Sequence, residues 1–246
     1  LVFSQTEANH VYFAAIKTDC YSEYNSEGKQ TKLYNLQVIP IVNYFGESYS
    51  KKYEFYDDGI KYEIREDYVY CPDSTRTQIE SLSETWRDSV RLKTIEYSKS
   101  WRKIEMERAN ELYAKAKAQG IAITDYSVKD ESEYTNGTGY SIDFVNAGKK
   151  TIKYIWFTLS AYNRVKDFIS TKVVKAMGPI KSGYSGSGSF SYVWHTDLVE
   201  TVKLTGIKIQ YMDGTFFVAK KPKDAFLSER CAYLLFGDPL EQYEED

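Results

Sequence analysis

Residues 73–119, DSTRTQIESLSETWRDSVRLKTIEYSKSWRKIEMERANELYAKAKAQ, run for 47 positions without a glycine or proline, between two regions that both alternate with a β period. Pro72-Asp73-Ser74 is a helix-start signature, and Thr77 with Glu80 three residues on forms a second capping box. Ile79, Leu82, Trp86, Val90, Tyr97, Trp101, Ile104 and Leu112 draw one narrow apolar stripe along the predicted helix. Acid and base three apart, as in Glu84 with Arg87 and Asp88 with Arg91, cover the rest of its surface. Gly120 is a natural terminator. Unbroken, such a helix is about 70 Å long at its usual rise, so it must project, bridge or fold back. The expected bend is at Tyr97-Ser98-Lys99-Ser100, where two serines interrupt good helix formers. The stripe suits packing on the chain's own strands, with self-association through the helix as the second option.

Before the helix, Val11, Phe13 and Ala15, then Tyr53 and Phe55, then Ile60, Tyr62 and Ile64 alternate with polar neighbours, the mark of half-buried strands. Asp58-Gly59 is a hairpin turn signal, and Pro40 assigns the Leu33–Val42 run to an edge or a bulge. Four or five antiparallel strands are expected there. After the helix the period returns to two, through Ile121 and Ile123, Tyr140 to Phe144, the turn Asn146-Ala147-Gly148-Lys149, Ile152 to Leu159, Phe190 to Trp194, and Leu204 to Tyr211. The Asp213-Gly214 hairpin then leads into Phe216-Phe217-Val218. Short strands, regular turns and no intervening helix predict a seven-strand sandwich. The fold class expected is thus mainly β with one long α-helix: an N-terminal antiparallel sheet over 1–72, a helical connector over 73–120, and a β-sandwich with an acidic tail over 121–246.

The segment from Tyr140 to Val218 resembles the immunoglobulin-like domains of the FxLYD type found in bacterial envelope and secreted proteins. The likeness rests on Asp143-Phe144-Val145-Asn146, on Lys150-Thr151-Ile152-Lys153-Tyr154-Ile155-Trp156-Phe157-Thr158-Leu159, on Tyr162-Asn163, and on Gly178-Pro179-Ile180-Lys181-Ser182-Gly183 before an aromatic strand. The literal Phe-x-Leu-Tyr-Asp run is absent, since Ser160-Ala161 separates Leu159 from Tyr162. The resemblance implies an immunoglobulin-like fold and a secreted or envelope location, and it brings no catalytic residues.

Composition narrows the function classes. With 42% hydrophobic and 27% charged residues the chain is ordinary globular protein, but 23 tyrosines and 12 phenylalanines are many. The net charge of -3 argues against nucleic acid and other polyanions as partners, and no apolar run is long enough to span a bilayer. Leu1 to Ala8 reads as the tail of a secretory leader or as a first strand, and Glu241, Glu244, Glu245 and Asp246 as a solvated tail. Cys20 and Cys71 flank the N-terminal β region and form a candidate disulfide closing a loop of about 50 residues, worth roughly 4 kcal/mol. The alternative is three buried free thiols, Cys231 included.

No chemical motif emerges. A triad at His195 with Asp197 lacks a nucleophile elbow. His10 and His195 are the only histidines and lack metal-ligand spacing. Asp57-Asp58 is accounted for by the turn rather than by calcium. The run Ser182-Gly183-Tyr184-Ser185-Gly186-Ser187-Gly188-Ser189 lacks a phosphate-binding lysine and reads as a flexible connection. Tyr184, Tyr192, Trp194 and His195 are the candidate binding residues, an aromatic patch suited to a sugar ring or a peptide, against which strand parity turns Tyr192 and Trp194 inward. The expectation is a non-enzymatic module without cofactor that binds a protein partner, with a carbohydrate-binding module as the alternative.

Overall fold

A computed structural model describes residues 11–47, 50–131 and 137–237. The leader-like start, His10 and the acidic tail lie outside the described residues. The chain divides into two compact units within its long helix, Leu1–Glu105 and Met106–Asp246.

The first unit holds β1 (Tyr12–Ile16), β2 (Cys20–Tyr21), β3 (Lys32–Leu33), β4 (Val38–Phe45), β5 (Lys52–Asp57), β6 (Ile60–Arg65), β7 (Val69–Tyr70) and α1 (Asp73–Glu80). Five strands form one antiparallel sheet in the order β6-β5-β4-β1-β7, and β2 pairs with β3. The hairpin at Asp58-Gly59 has both residues at positive φ, as a type I′ turn requires. β4 is a central strand, yet it pairs with β1 over Val38–Ile41 and with β5 from Ile41 onward. Pro40 therefore sits where its strand has one neighbour, just before the register shift at Ile41/Asn43, which is how a proline fits within a sheet. One face buries Ile41, Tyr53, Phe55, Tyr62 and Ile64, with Ile79 of α1 in the same core.

α2 (Glu84–Lys117) follows. The helical stretch does break, but at Ser81-Leu82-Ser83 and not at Tyr97–Ser100, which are helical throughout. Ser81 Oγ donates to Gln78 O, the local bond by which serine competes with helix continuation. Ser98 is tied down instead: its Oγ donates to Ile95 O and accepts from the backbone N–H of Gly59 at 2.9 Å. The buried positions of α2 in the first unit are Val90, Thr94 and Ser98, with Val90 against Val42 and Tyr56. Trp86 and Trp101 of the expected stripe are exposed instead.

The second unit holds the end of α2 and then β8 (Ala122–Asp130), β9 (Thr138–Val145), β10 (Ile152–Tyr162), β11 (Phe168–Ile180), β12 (Ser185–Trp194), β13 (Thr201–Tyr211), β14 (Phe216–Val218) and α3 (Glu229–Phe236). A four-stranded sheet, β11-β10-β13-β14, and a three-stranded sheet, β12-β9-β8, contribute to one core. Tyr140, Ile142 and Phe144 come from one sheet and Ile155, Phe157, Leu159, Ile207 and Ile209 from the other. Gly120, at φ +88, closes α2 where an added Cβ would meet Ile209 and Phe217. The end of α2 packs through Ala109 and Ala116 with Leu227 and Cys231 of the α3 region. The protein is mainly β, with several antiparallel sheets and one long helix.

Candidate functional site

The four residues singled out by sequence do not converge. Tyr184 precedes β12 and is 64% exposed, whereas Trp194 closes the same strand and is 1% exposed, inside the core. A ten-residue strand separates them by about 30 Å. Tyr192 has φ +53 within the register shift between Phe190 and Trp194 and faces solvent, and His195 is exposed. That irregularity is why parity predicts Trp194 correctly and Tyr192 wrongly. The Gly/Ser run is also not a loose connection, because Ser185 to Ser189 pair with Val145 to Ser141 of β9. Its glycines answer to packing: a Cβ on Gly186 would lie 2.5 Å from Ile180 Cδ1, and one on Gly188 2.6 Å from the Phe190 ring.

Cys20, Cys71 and Cys231 are free thiols, so Cys20 and Cys71 are not bridged in this structure. Cys71 lies in the core of the first unit with Cys20 packed against it. Burial pushes both thiols up from their ordinary pKa, away from the thiolate that nucleophilic chemistry needs. Glu54 is a buried carboxylate, but it is committed: Arg91 Nε lies at 3.0 Å, Lys61 Nζ at 3.4 Å, and the Tyr56 hydroxyl donates to it at 3.1 Å. Burial first, and the Glu54 charge second, push Tyr56 up to about 12. Among the described residues no three His, Cys, Asp or Glu side chains gather as a metal site.

The surface with a built character is the outward face of the four-stranded sheet. Along β10, Ile155, Phe157 and Leu159 point into the core while Tyr154, Trp156 and Thr158 point out, as strand alternation dictates. The register sets Trp156 between Lys175 of β11 and Lys208 of β13, Tyr154 between Met177 and Gln210, and Thr158 opposite Val173. β14 extends these rows with Val218 beside Lys208 and Phe216 beside Gln210. Three rings sit together: Tyr154 and Trp156 at 5.8 Å between centroids, Trp156 and Phe216 at 6.5 Å. Lys175 Nζ lies 3.6 Å from the Tyr154 centroid, and Lys208 Nζ lies 4.8 Å from that of Phe216 and 5.5 Å from that of Trp156. Such contacts are worth about 0.5–1 kcal/mol at exposed sites. Met177 is 73% and Phe216 55% exposed, and Val173 and Val218 are exposed beside them. Single exposed apolar residues mean little, but a contiguous group is the signature of a contact surface.

Sequence reasoning missed this face although its signal was present. Ile152 to Leu159 is apolar on both faces towards its end, a pattern that places the strand centrally, as β10 is between β11 and β13; that pattern does not tell that its outward aromatics lie at a surface. No family model and no curated protein matches the chain. Among solved structures, one described as the structural characterization of IrmA from Escherichia coli is similar at 13% identity, over 44% of this chain and 88% of that one, with a TM-score of 0.32. A likeness of that size carries no conclusion about fold or activity.

Proposed function

We propose that the chain is a non-enzymatic protein-binding module of a secreted or envelope-located protein, and that it binds through the outward face of β10, β11, β13 and β14. The observation that carries this reading is the grouping of exposed Met177 and Phe216 and their aliphatic neighbours around a half-buried Trp156 on one sheet face. Aromatic and methionine side chains are what the centres of protein interfaces are enriched in. An immunoglobulin-like sandwich is the finer reading of the second unit. It is supported by two antiparallel sheets with one core and by the seven strands described there. Location rests on the resemblance to FxLYD-type domains alone. No helix among the described residues is long and apolar enough to cross a membrane.

Three neighbouring rings also favour a carbohydrate-binding module as the second reading, moved from the Gly/Ser segment to this face. Affinity capture from an envelope extract, treated in parallel with protease or with glycan-cleaving enzymes, separates the two. Protease is expected to abolish capture, and the Trp156→Ala/Phe216→Ala double variant to lose it at an unchanged unfolding midpoint. Capture sensitive only to glycan cleavage would replace the protein reading with the carbohydrate one.

A further inference from the structure

The net charge of -3 conceals a segregation of charge within the second unit. β10, β11, β13 and β14 contain Lys153, Lys172, Lys175, Lys203 and Lys208, and no aspartate or glutamate at all. At the chain's average, 35 acids in 246 residues, strands of that combined length would carry about five. The opposite sheet carries Asp125, Asp130 and Asp143 against Lys129. One sheet is thus basic and acid-free, and its outward face is where the exposed aromatic and aliphatic side chains lie.

We propose that the partner of this face is an acidic polypeptide surface, one that presents apolar side chains flanked by carboxylates. The inference rests on the protein-binding reading above and names the chemistry of its partner. Lys175 and Lys208 stand on either side of Trp156 in one row, so carboxylates about two strand spacings apart, roughly 10 Å, would meet both. The apolar groups between them would cover Trp156, Phe216 and Val218. A nucleic acid or an acidic glycan fits less well. Stacking of bases or sugars needs open ring faces, and here lysine ammoniums lie over Tyr154 and Phe216. Val173, Met177 and Val218 also offer aliphatic surface, which a polypeptide matches and a phosphate or sugar chain does not.

The test uses the full chain and immobilised twelve-residue peptides of glutamate and leucine, with glutamine–leucine and lysine–leucine peptides of the same pattern, heparin and oligothymidylate as further probes. The glutamate peptide is expected to bind best. Its affinity should fall about tenfold or more in Lys175→Glu/Lys208→Glu and weaken with added salt. Both lysines are exposed, and the unfolding midpoint of each variant checks that folding is intact. Equal binding of the glutamine peptide, preference for heparin or oligothymidylate, or no change on charge reversal would overturn the proposal. Capture from the extract distinguishes this failure from that of the protein-binding reading. If Trp156→Ala/Phe216→Ala abolishes capture and Lys175→Glu/Lys208→Glu does not, only the acidic partner falls; if neither does, both fall.

Discussion

Asn146 is fully buried, and every polar group it carries is used. Its side-chain amide donates to Lys150 O at 3.0 Å and Ile180 O at 2.9 Å, and its Oδ1 accepts from Gly148 N–H. Its backbone N–H donates to Tyr184 O while its carbonyl accepts from Gly183 N–H. Its side chain thus joins the β9–β10 turn to the end of β11, while its backbone holds the residues just before β12. Asn146→Ala removes the donor from the buried Ile180 carbonyl and from the partly buried Lys150 one, and we expect a loss of about 2 kcal/mol in chemical denaturation. Asp143 is the opposite case. It stands directly across from Asp125 in the β8–β9 register, and burial, then the Asp125 charge, raise its pKa against a smaller opposing effect of Lys129. Because the folded carboxyl keeps its proton to higher pH than the unfolded one, stability falls as pH rises through that interval, and the full cost is felt above it. Asp143 is exposed and solvent screens the pair, so Asp143→Asn should stabilise the protein by only about 0.3 kcal/mol at neutral pH. Denaturant titrations at several pH values should show that gain fading as pH falls towards about 4 and absent below it.

At the scale of elements, what holds α2 on the first sheet is a polar contact as much as an apolar one. Arg91 reaches Glu54 on β5, and its guanidinium is held further in its charged form by that carboxylate. Arg91→Met leaves the buried Glu54 with Lys61 as its one cation and the Tyr56 hydroxyl as its donor. A loss of about 2 kcal/mol is expected, at the low side for a broken buried pair because Arg91 is partly exposed; an unchanged denaturation midpoint would contradict it. This contact also shows why the helix was legible and its packing was not. The absence of glycine and proline and the terminator Gly120 are local signals and read directly, whereas the expected box at Thr77 and Glu80 falls inside α1, where the Thr77 hydroxyl donates to Asp73 O instead of opening a helix. Beside Val90, which the stripe included, the buried face of α2 uses Thr94, Ser98, Ala109 and Ala116, small or polar residues that apolar periodicity cannot see, while Trp86 and Trp101 drew attention and stayed outside. The Gly/Ser segment failed for the same reason: Gly186 and Gly188 give way to Ile180 and Phe190, neighbours that a reading of composition does not place. Gly186→Val should destabilise by about 2 kcal/mol through overpacking, measurable as a lowered unfolding midpoint.

For the molecule as a whole, the candidate site was legible as composition and illegible as position. The high tyrosine content fits half-buried strand faces as readily as an aromatic surface, and strand alternation along Tyr154, Trp156 and Thr158 was in plain view. Which side of β10 faces the core, however, depends on how its sheet packs against β8, β9 and β12, a long-range fact. Global charge likewise averaged away an acid-free sheet. Covalent footprinting of the chain, alone and with its captured partner, is the most direct measurement of the central claim. Protection is expected to concentrate at Trp156, Met177 and Phe216, with Tyr184 and Tyr192 labelled equally in both states. Protection at Tyr184 and Tyr192 with Trp156, Met177 and Phe216 unchanged would contradict it.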